Sequence, residues 1–219
     1  MSRPLLVIGN KNYSSWSLRP WLLLRQSGVD FDERIVPLGT QAFHAAIAPL
    51  SPTRKVPVLH DGDLVVWDSL SICEYANERW LAGTGWPADL ARRALARSAV
   101  AEMHSGFVLL RSHLPMNCRR VPDGYRWSSA TQDDIDRVLA LWHVLLERSE
   151  GAGDFLCGGF GIIDAMYAPV VMRFFGYGVE VDPMTRRYMD AVLGLPAMRE
   201  WREAASLETE VIEASERRG

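Results

Sequence analysis

Lysine is almost missing from this sequence: among its 24 Lys and Arg residues only Lys11 and Lys55 are lysines, an imbalance that points to a genome favouring arginine codons and singles out those two positions. Positive charge is concentrated nowhere. The net charge is −3, with no basic stripe and no run of five like charges, which argues against nucleic acid and other polyanions as partners. Cysteine is sparse as well. Cys73, Cys118 and Cys157 are odd in number, far apart and outside any C-x-x-C or Cys/His ligand spacing, which argues against a disulfide framework or a zinc site. Each reads as a small buried apolar side chain, and no metal is expected. No apolar stretch reaches the roughly 18 residues that cross a bilayer. The start MSRPLLVIGNKNYSSW lacks the apolar core and small-residue cleavage site of a signal peptide, so no membrane partner and a cytoplasmic location are expected.

What is present is a globular composition, 48% hydrophobic and 23% charged, in a length of 219 residues that suits a small unit joined to a larger one. Residues 4–9 (PLLVIG) read as a buried strand and residues 10–15 as a loop. Residues 17–27 read as a helix, with Pro20 harmless in its first turn and Gly28 as its stop. Strands follow over 31–37, 56–60 and 64–67, with a short helix over 41–48 and a turn at Asp61-Gly62-Asp63. Ser69 is read as the cap of a helix running to about Trp80. The order is β-α-β-α-β-β-α. Residues 81–88 (LAGTGWPA) carry two glycines and a proline and read as a linker, which divides the chain into 1–80, 81–88 and 89–219. Beyond the linker every segment has helical period: 90–118, 132–149, 161–175, 183–193 and 196–207, with no internal repeat. The second domain is expected to be all α.

A β-α-β-α-β-β-α unit with Val56-Pro57 opening its third strand, followed by an all-helical domain, resembles the soluble glutathione transferases over nearly the whole chain. The resemblance implies a thioredoxin-like first domain that binds glutathione as co-substrate. The stretch Ser14-Ser15-Trp16-Ser17-Leu18-Arg19 resembles the Ser-Ser-Cys-Ser-x-Arg signature of the zeta class, the maleylacetoacetate isomerases, with Trp16 standing where that class has cysteine. A free thiol titrates at about 8.5, so glutathione chemistry near neutrality needs a protein that favours the thiolate. A hydroxyl beside a helix N-terminus suits this, and a shift of two units takes about 2.7 kcal/mol, within reach of one charge-assisted hydrogen bond plus a dipole contribution. Ser14 and Ser15 are the candidates. Ser14 is the first choice, because it aligns with the first serine of the zeta motif, and Ser15 the second, because it lies four residues before Arg19 as in other serine-type classes.

The segment 51–59 (SPTRKVPVL) resembles the family's Asn-Pro-x-Lys-x-Val-Pro-x-Leu. The resemblance implies a cis Val56–Pro57 bond that turns the valine backbone toward the cysteinyl part of glutathione like an added strand, with Arg54 and Lys55 near the glycyl carboxylate. Asp68-Ser69 resembles the pair that holds the γ-glutamyl end, the carboxylate at the α-amine and the serine with the helix start at the α-carboxylate. Trp16 completes the glutathione set. An electrophile pocket is expected between the 10–15 loop and the helix from Leu90, where Met103, Phe107, Leu110 and Arg111 share one side, with Tyr13, Trp16 and Arg111 shaping substrate choice. His104 and His113 read as satisfied histidines rather than bases. Asp164 is expected to reach back to the N–H of Gly161, where the family usually has Ser or Thr.

The resemblance therefore implies a homodimeric detoxification enzyme that conjugates the glutathione thiolate to small hydrophobic electrophiles. Two alternatives share its N-terminal residues: glutathione-dependent cis-trans isomerisation of maleylacetoacetate, and a non-catalytic module of the same fold.

Overall fold

The structure, a computed structural model, describes residues 3–149 and 151–217. The N-terminal part runs β1 (Leu5–Ile8), α1 (Ser15–Gln26), β2 (Asp32–Ile35), α2 (Phe43–Ile47), β3 (Val58–Asp61), β4 (Leu64–Trp67) and α3 (Ser69–Arg79), in the order the sequence predicts. The sheet order is β2-β1-β3-β4, with β1 parallel to β2 and antiparallel to β3, and β3 antiparallel to β4. Strand alternation separates two cores. Leu6, Ile8 and Leu59 face the large core shared with α1 and α3, while Val7 and Val58 face a smaller one with Val36 and Ile47. The β2 strand carries Asp32, Glu33 and Arg34 at the sheet edge, and such charges discourage pairing with another chain.

The rest is helical: α4 (Leu90–Ser105), α5 (Val108–His113), α6 (Ser129–Glu147), α7 (Ile162–Tyr177), α8 (Pro183–Gly194) and α9 (Pro196–Leu207). Central α7 is buried along almost its whole length and packs on α1, so the two parts share one continuous core.

Three local differences from the sequence reading bear on function. Helix α1 begins at Ser15 rather than Ser17, so Ser15 lies in its first turn and Ser14 just outside. Helix α3 is capped by Asp68, whose Oδ1 accepts from the N–H of Leu70 at 2.8 Å and of Ser71 at 3.3 Å; Ser69 is the first helical residue. The helix expected over 90–118 is two helices. The chain breaks at Gly106, where a Cβ would lie 2.7 Å from the Glu102 carbonyl, and at Phe107, which is left-handed with φ 56°. The Arg111 guanidinium closes this corner by donating to the carbonyls of Met103 and His104.

At the head of α7, Asp164 accepts from Gly161 N at 2.9 Å and from Leu156 N at 3.1 Å. Glycine offers no side-chain acceptor in return. Instead the carbonyl of Gly85, from the segment between α3 and α4, accepts from Ile162 N at 2.9 Å, and Gly85 N donates to Asn77 Oδ1 at 2.7 Å. A Cβ on Gly161 would meet that Gly85 oxygen at 2.7 Å, so the usual Ser or Thr has no room here.

Beyond α9 the chain returns across the loop between β1 and α1. Glu208 accepts from Lys11 N at 2.6 Å and Asn12 N at 2.9 Å, Arg119 donates to the carbonyls of Glu208 and Glu210, and Glu216 accepts from the Tyr13 phenol at 2.5 Å. Lys11 itself is buried, its Nζ 2.7 Å from Glu33 Oε1 and facing the rings of Trp21 and Trp201.

Candidate functional site

A cleft of about 470 Å³ is lined by Trp16 from α1, by Thr53, Lys55, Val56 and Pro57 from the segment before β3, and by Trp67, Asp68 and Ser69 where β4 passes into α3. The three segments singled out by sequence thus meet in one place. The Val56–Pro57 peptide is cis. Among the described residues neither the N–H nor the C=O of Val56 has a hydrogen-bond partner, because the β1–β3 ladder starts at Val58. The loop leading to it is held by Ser51: its carbonyl accepts from Arg54 N at 3.0 Å and its hydroxyl accepts from Lys55 N at 3.3 Å. Arg54 takes a left-handed conformation with φ 55°, and both Arg54 and Lys55 are exposed.

At the other end Asp68 is left-handed, with φ 72°, an uncommon state for a residue other than glycine and one that clusters at ligand sites. Burial pushes its pKa up, but hydrogen bonds from His104 and from the Leu70 and Ser71 N–H groups outweigh burial and hold the carboxyl below its ordinary range. His104 Nε2 lies 3.1 Å from Asp68 Oδ2. The N–H of Ser69 has no partner among the described residues, and its hydroxyl accepts from Arg19 Nη1 at 3.2 Å. Arg19 is 2% exposed and stacks on Trp16 at 4.1 Å. Burial, with Arg111 and Arg173 nearby, brings its guanidinium down to about 9. Arg111 approaches the same Trp16 ring at 4.9 Å.

Ser14 and Ser15 are both buried, and neither lines the cleft directly. Ser14 Oγ donates to Ser17 Oγ at 2.7 Å, and Ser17 Oγ also accepts from Gly9 N. The Ser15 hydroxyl has no partner among the described residues. Of the residues expected around an electrophile, Trp16 lines the cleft, whereas Tyr13, Met103, Phe107, Leu110 and Arg111 lie apart from its lining. Met103 and Phe107 are packed in the core, Arg111 closes the α4 corner, and the Tyr13 phenol is engaged by Glu216 and Arg119. Burial, then the Glu216 carboxylate, raises the Tyr13 pKa.

Sequence reasoning passed over Thr53 and Trp67 as lining residues and His104 as a neighbour of Asp68. Trp67 carries no signal of its own beyond ending the strand before Asp68-Ser69. A lone histidine on a helix carried no signal. No group of three or more His, Cys, Asp or Glu placed to hold a metal occurs among the described residues, and no helix there is long and apolar enough to cross a membrane.

This is a thioredoxin-like domain joined to a helical domain, with a cleft bordered by a cis-proline segment and a helix N-terminus. Residues 13–79 match the family model for the glutathione S-transferase N-terminal domain. The chain is 32% identical over 87 residues to glutathione S-transferase theta-3 of Mus musculus, a match covering 39% of this chain and 36% of that protein. It is 28% identical over 187 residues to glutathione S-transferase 1 of Dianthus caryophyllus, covering 82% and 83%. Among solved structures it superposes on a glutathione transferase homologue from Burkholderia gl BGR1 with bound glutathione, at TM-score 0.70 and 24% identity over 94% of this chain and all of that one. It also superposes on a bacterial zeta-class maleyl pyruvate isomerase, at TM-score 0.71 and 21% identity over the same shares. The N-terminal part is thus similar to the glutathione S-transferase N-terminal domain, and the chain as a whole has the glutathione S-transferase fold.

Proposed function

We propose that this chain is a glutathione transferase that adds the glutathione thiolate to a small electrophile. One observation carries the reading: polar groups without partners among the described residues, the Val56 N–H and C=O and the Ser69 N–H, border the same cleft at a spacing set by one sheet. In this reading the Asp68 carboxylate takes the α-amine of the γ-glutamyl group, and Ser69 with the α3 N-terminus takes its carboxylate. Val56 pairs with the cysteinyl backbone, while Arg54 and Lys55 face the glycyl carboxylate. The sulfur then comes to the head of α1, where a donated hydroxyl and the helix dipole favour the thiolate.

Ser15 is the better donor. The Ser14 proton is engaged by Ser17, whereas the Ser15 hydroxyl is uncommitted. The acceptor approaches past Trp16 and Arg111, backed by Met103 and Phe107, with Tyr13 joining once the segment after α9 moves aside. A cytoplasmic homodimer completes the proposal. Large exposed apolar side chains on β4 (Leu64, Trp67), α4 (Leu90) and α5 (Val108) favour a partner, and a monomeric mass in solution would remove the dimer.

The test is an ultraviolet difference spectrum on adding glutathione near neutral pH. A thiolate band is expected in the wild type and in Ser14→Ala, and its loss in Ser15→Ala. The opposite pattern moves the role to Ser14. Binding without any thiolate band and without turnover would leave a non-catalytic module. The likeness to the zeta-class isomerase supports a second reading, reversible addition that allows a double bond to rotate. Turnover of maleylacetoacetate but not of a chloronitrobenzene would establish it.

A further inference from the structure

We infer that His104, supplied by the helical domain, is a positioning residue for the γ-glutamyl end of the cleft, locked by Arg19 in the tautomer that aims Asp68 at its ligand; this rests on the glutathione reading above. The Asp68 carboxylate has divided duties. Its Oδ1 is engaged by the N–H groups of Leu70 and Ser71, so Oδ2 is the oxygen left to meet an amine. His104 Nε2 stands 3.1 Å from that Oδ2, and His104 Nδ1 stands 3.3 Å from Arg19 Nη1. A guanidinium has donors only, so Nδ1 must be the acceptor. The ring proton is therefore on Nε2 and is donated to Asp68 Oδ2. A second lone pair on that oxygen stays open for the ligand.

Arg19 is well placed to impose this choice. Its second Nη1 proton goes to the Ser69 hydroxyl at 3.2 Å, its Nη2 donates to Met103 Sδ at 3.3 Å, and its plane lies on Trp16. The His104 ring meets the same indole edge-on at 5.1 Å. With one buried guanidinium orienting both Asp68, through His104, and Ser69 directly, the two γ-glutamyl residues are set by a single group. A ring carrying its proton on Nδ1 would turn N–H against N–H at Arg19 and leave Asp68 Oδ2 without its donor.

Two measurements decide this. The first compares wild type, His104→Ala and His104→Gln in glutathione titrations and in steady-state kinetics, using both glutathione and cysteinylglycine, which lacks the γ-glutamyl group. His104→Ala is expected to raise KM for glutathione about tenfold while kcat stays within about twofold. In His104→Gln the amide N–H replaces Nε2–H and recovers most of the affinity. Cysteinylglycine should not distinguish the three proteins. A lower kcat at unchanged KM, or an equal loss with the dipeptide, overturns the assignment. The second measurement needs no ligand and no altered fold: long-range proton–nitrogen NMR of the unliganded wild type, with His104 assigned by its loss in His104→Gln. The Nε2–H tautomer is expected at neutral pH, and an Nδ1–H ring or an imidazolium overturns the inference. Failure of the wild type to bind glutathione would instead refute the proposed function, while the NMR result still decides the wiring.

Discussion

The heads of α3 and α7 each use an aspartate to accept backbone N–H bonds. At α3, Asp68 is half-buried, takes a left-handed backbone and leaves the neighbouring Ser69 N–H without a partner among the described residues. At α7, Asp164 is fully buried, and the donors around it are accounted for: Gly161 and Leu156 on its two oxygens, Ile162 on the Gly85 carbonyl. Burial changes what the same cap does. An enclosed helix start whose Gly161 and Ile162 donors meet buried acceptors adds stability and specificity, whereas an open one with a donor to spare, beside a cleft, suits an anionic ligand. The difference lies in the surroundings more than in the capping residue.

The sharpest way to break this contrast is Asp164→Ala, which strands two buried N–H groups. A loss of about 3–5 kcal/mol is expected, read by denaturant unfolding. Burial raises the Asp164 pKa to about 7, so the folded state holds this proton more tightly than the unfolded chain does. Its contribution to stability is thus greatest at acid pH and declines as pH climbs from about 4 towards 7. Asp164→Asn should remove that part of the slope, and an unchanged pH profile would contradict the account. Next in size is Asp68→Ala. Stability should fall by only about 1 kcal/mol, the usual cost of a lost cap. Glutathione affinity should fall about 10- to 100-fold in calorimetric titration, as for lost hydrogen bonds to a charged group. A protein that lost stability and kept affinity would reverse the comparison. Gly161→Ser sharpens it further. Serine is the better isolated cap, yet here its Cβ meets the Gly85 carbonyl, and a loss of about 1–2 kcal/mol is expected in thermal melting. Smallest is Ser14→Ala, which removes one buried hydrogen bond to Ser17 and should cost about 1 kcal/mol without altering the thiolate band.

Much of this was legible in the residues, because strand alternation and helical period are strong signals. The PLLVIG run, the DGD turn and the 3.6-residue stripes beyond residue 90 correspond to β1, the β3–β4 hairpin and the bundle. What escaped were features set by tertiary contacts. The break at Phe107 carries no turn residue other than Gly106, and its left-handed state is held by Arg111 from the next helix. The start of α1 at Ser15 was hidden by three serines, any of which makes a plausible cap. The Gly85 carbonyl at the head of α7 comes from 77 positions upstream in sequence, beyond the reach of any local motif. His104 lies 36 positions from Asp68 and joins it only through the packing of the helical domain on α1 and α3.

The burial of Lys11 has a practical side. Its amine is enclosed by Glu33, Trp21 and Trp201, whereas Lys55, the chain's other lysine, is open and lies on the rim of the cleft. Acylating dyes and amine-directed cross-linkers therefore find, apart from the chain's own α-amine, one lysine to modify. A reporter placed there would sit beside whatever enters the cleft, without a single engineered attachment point.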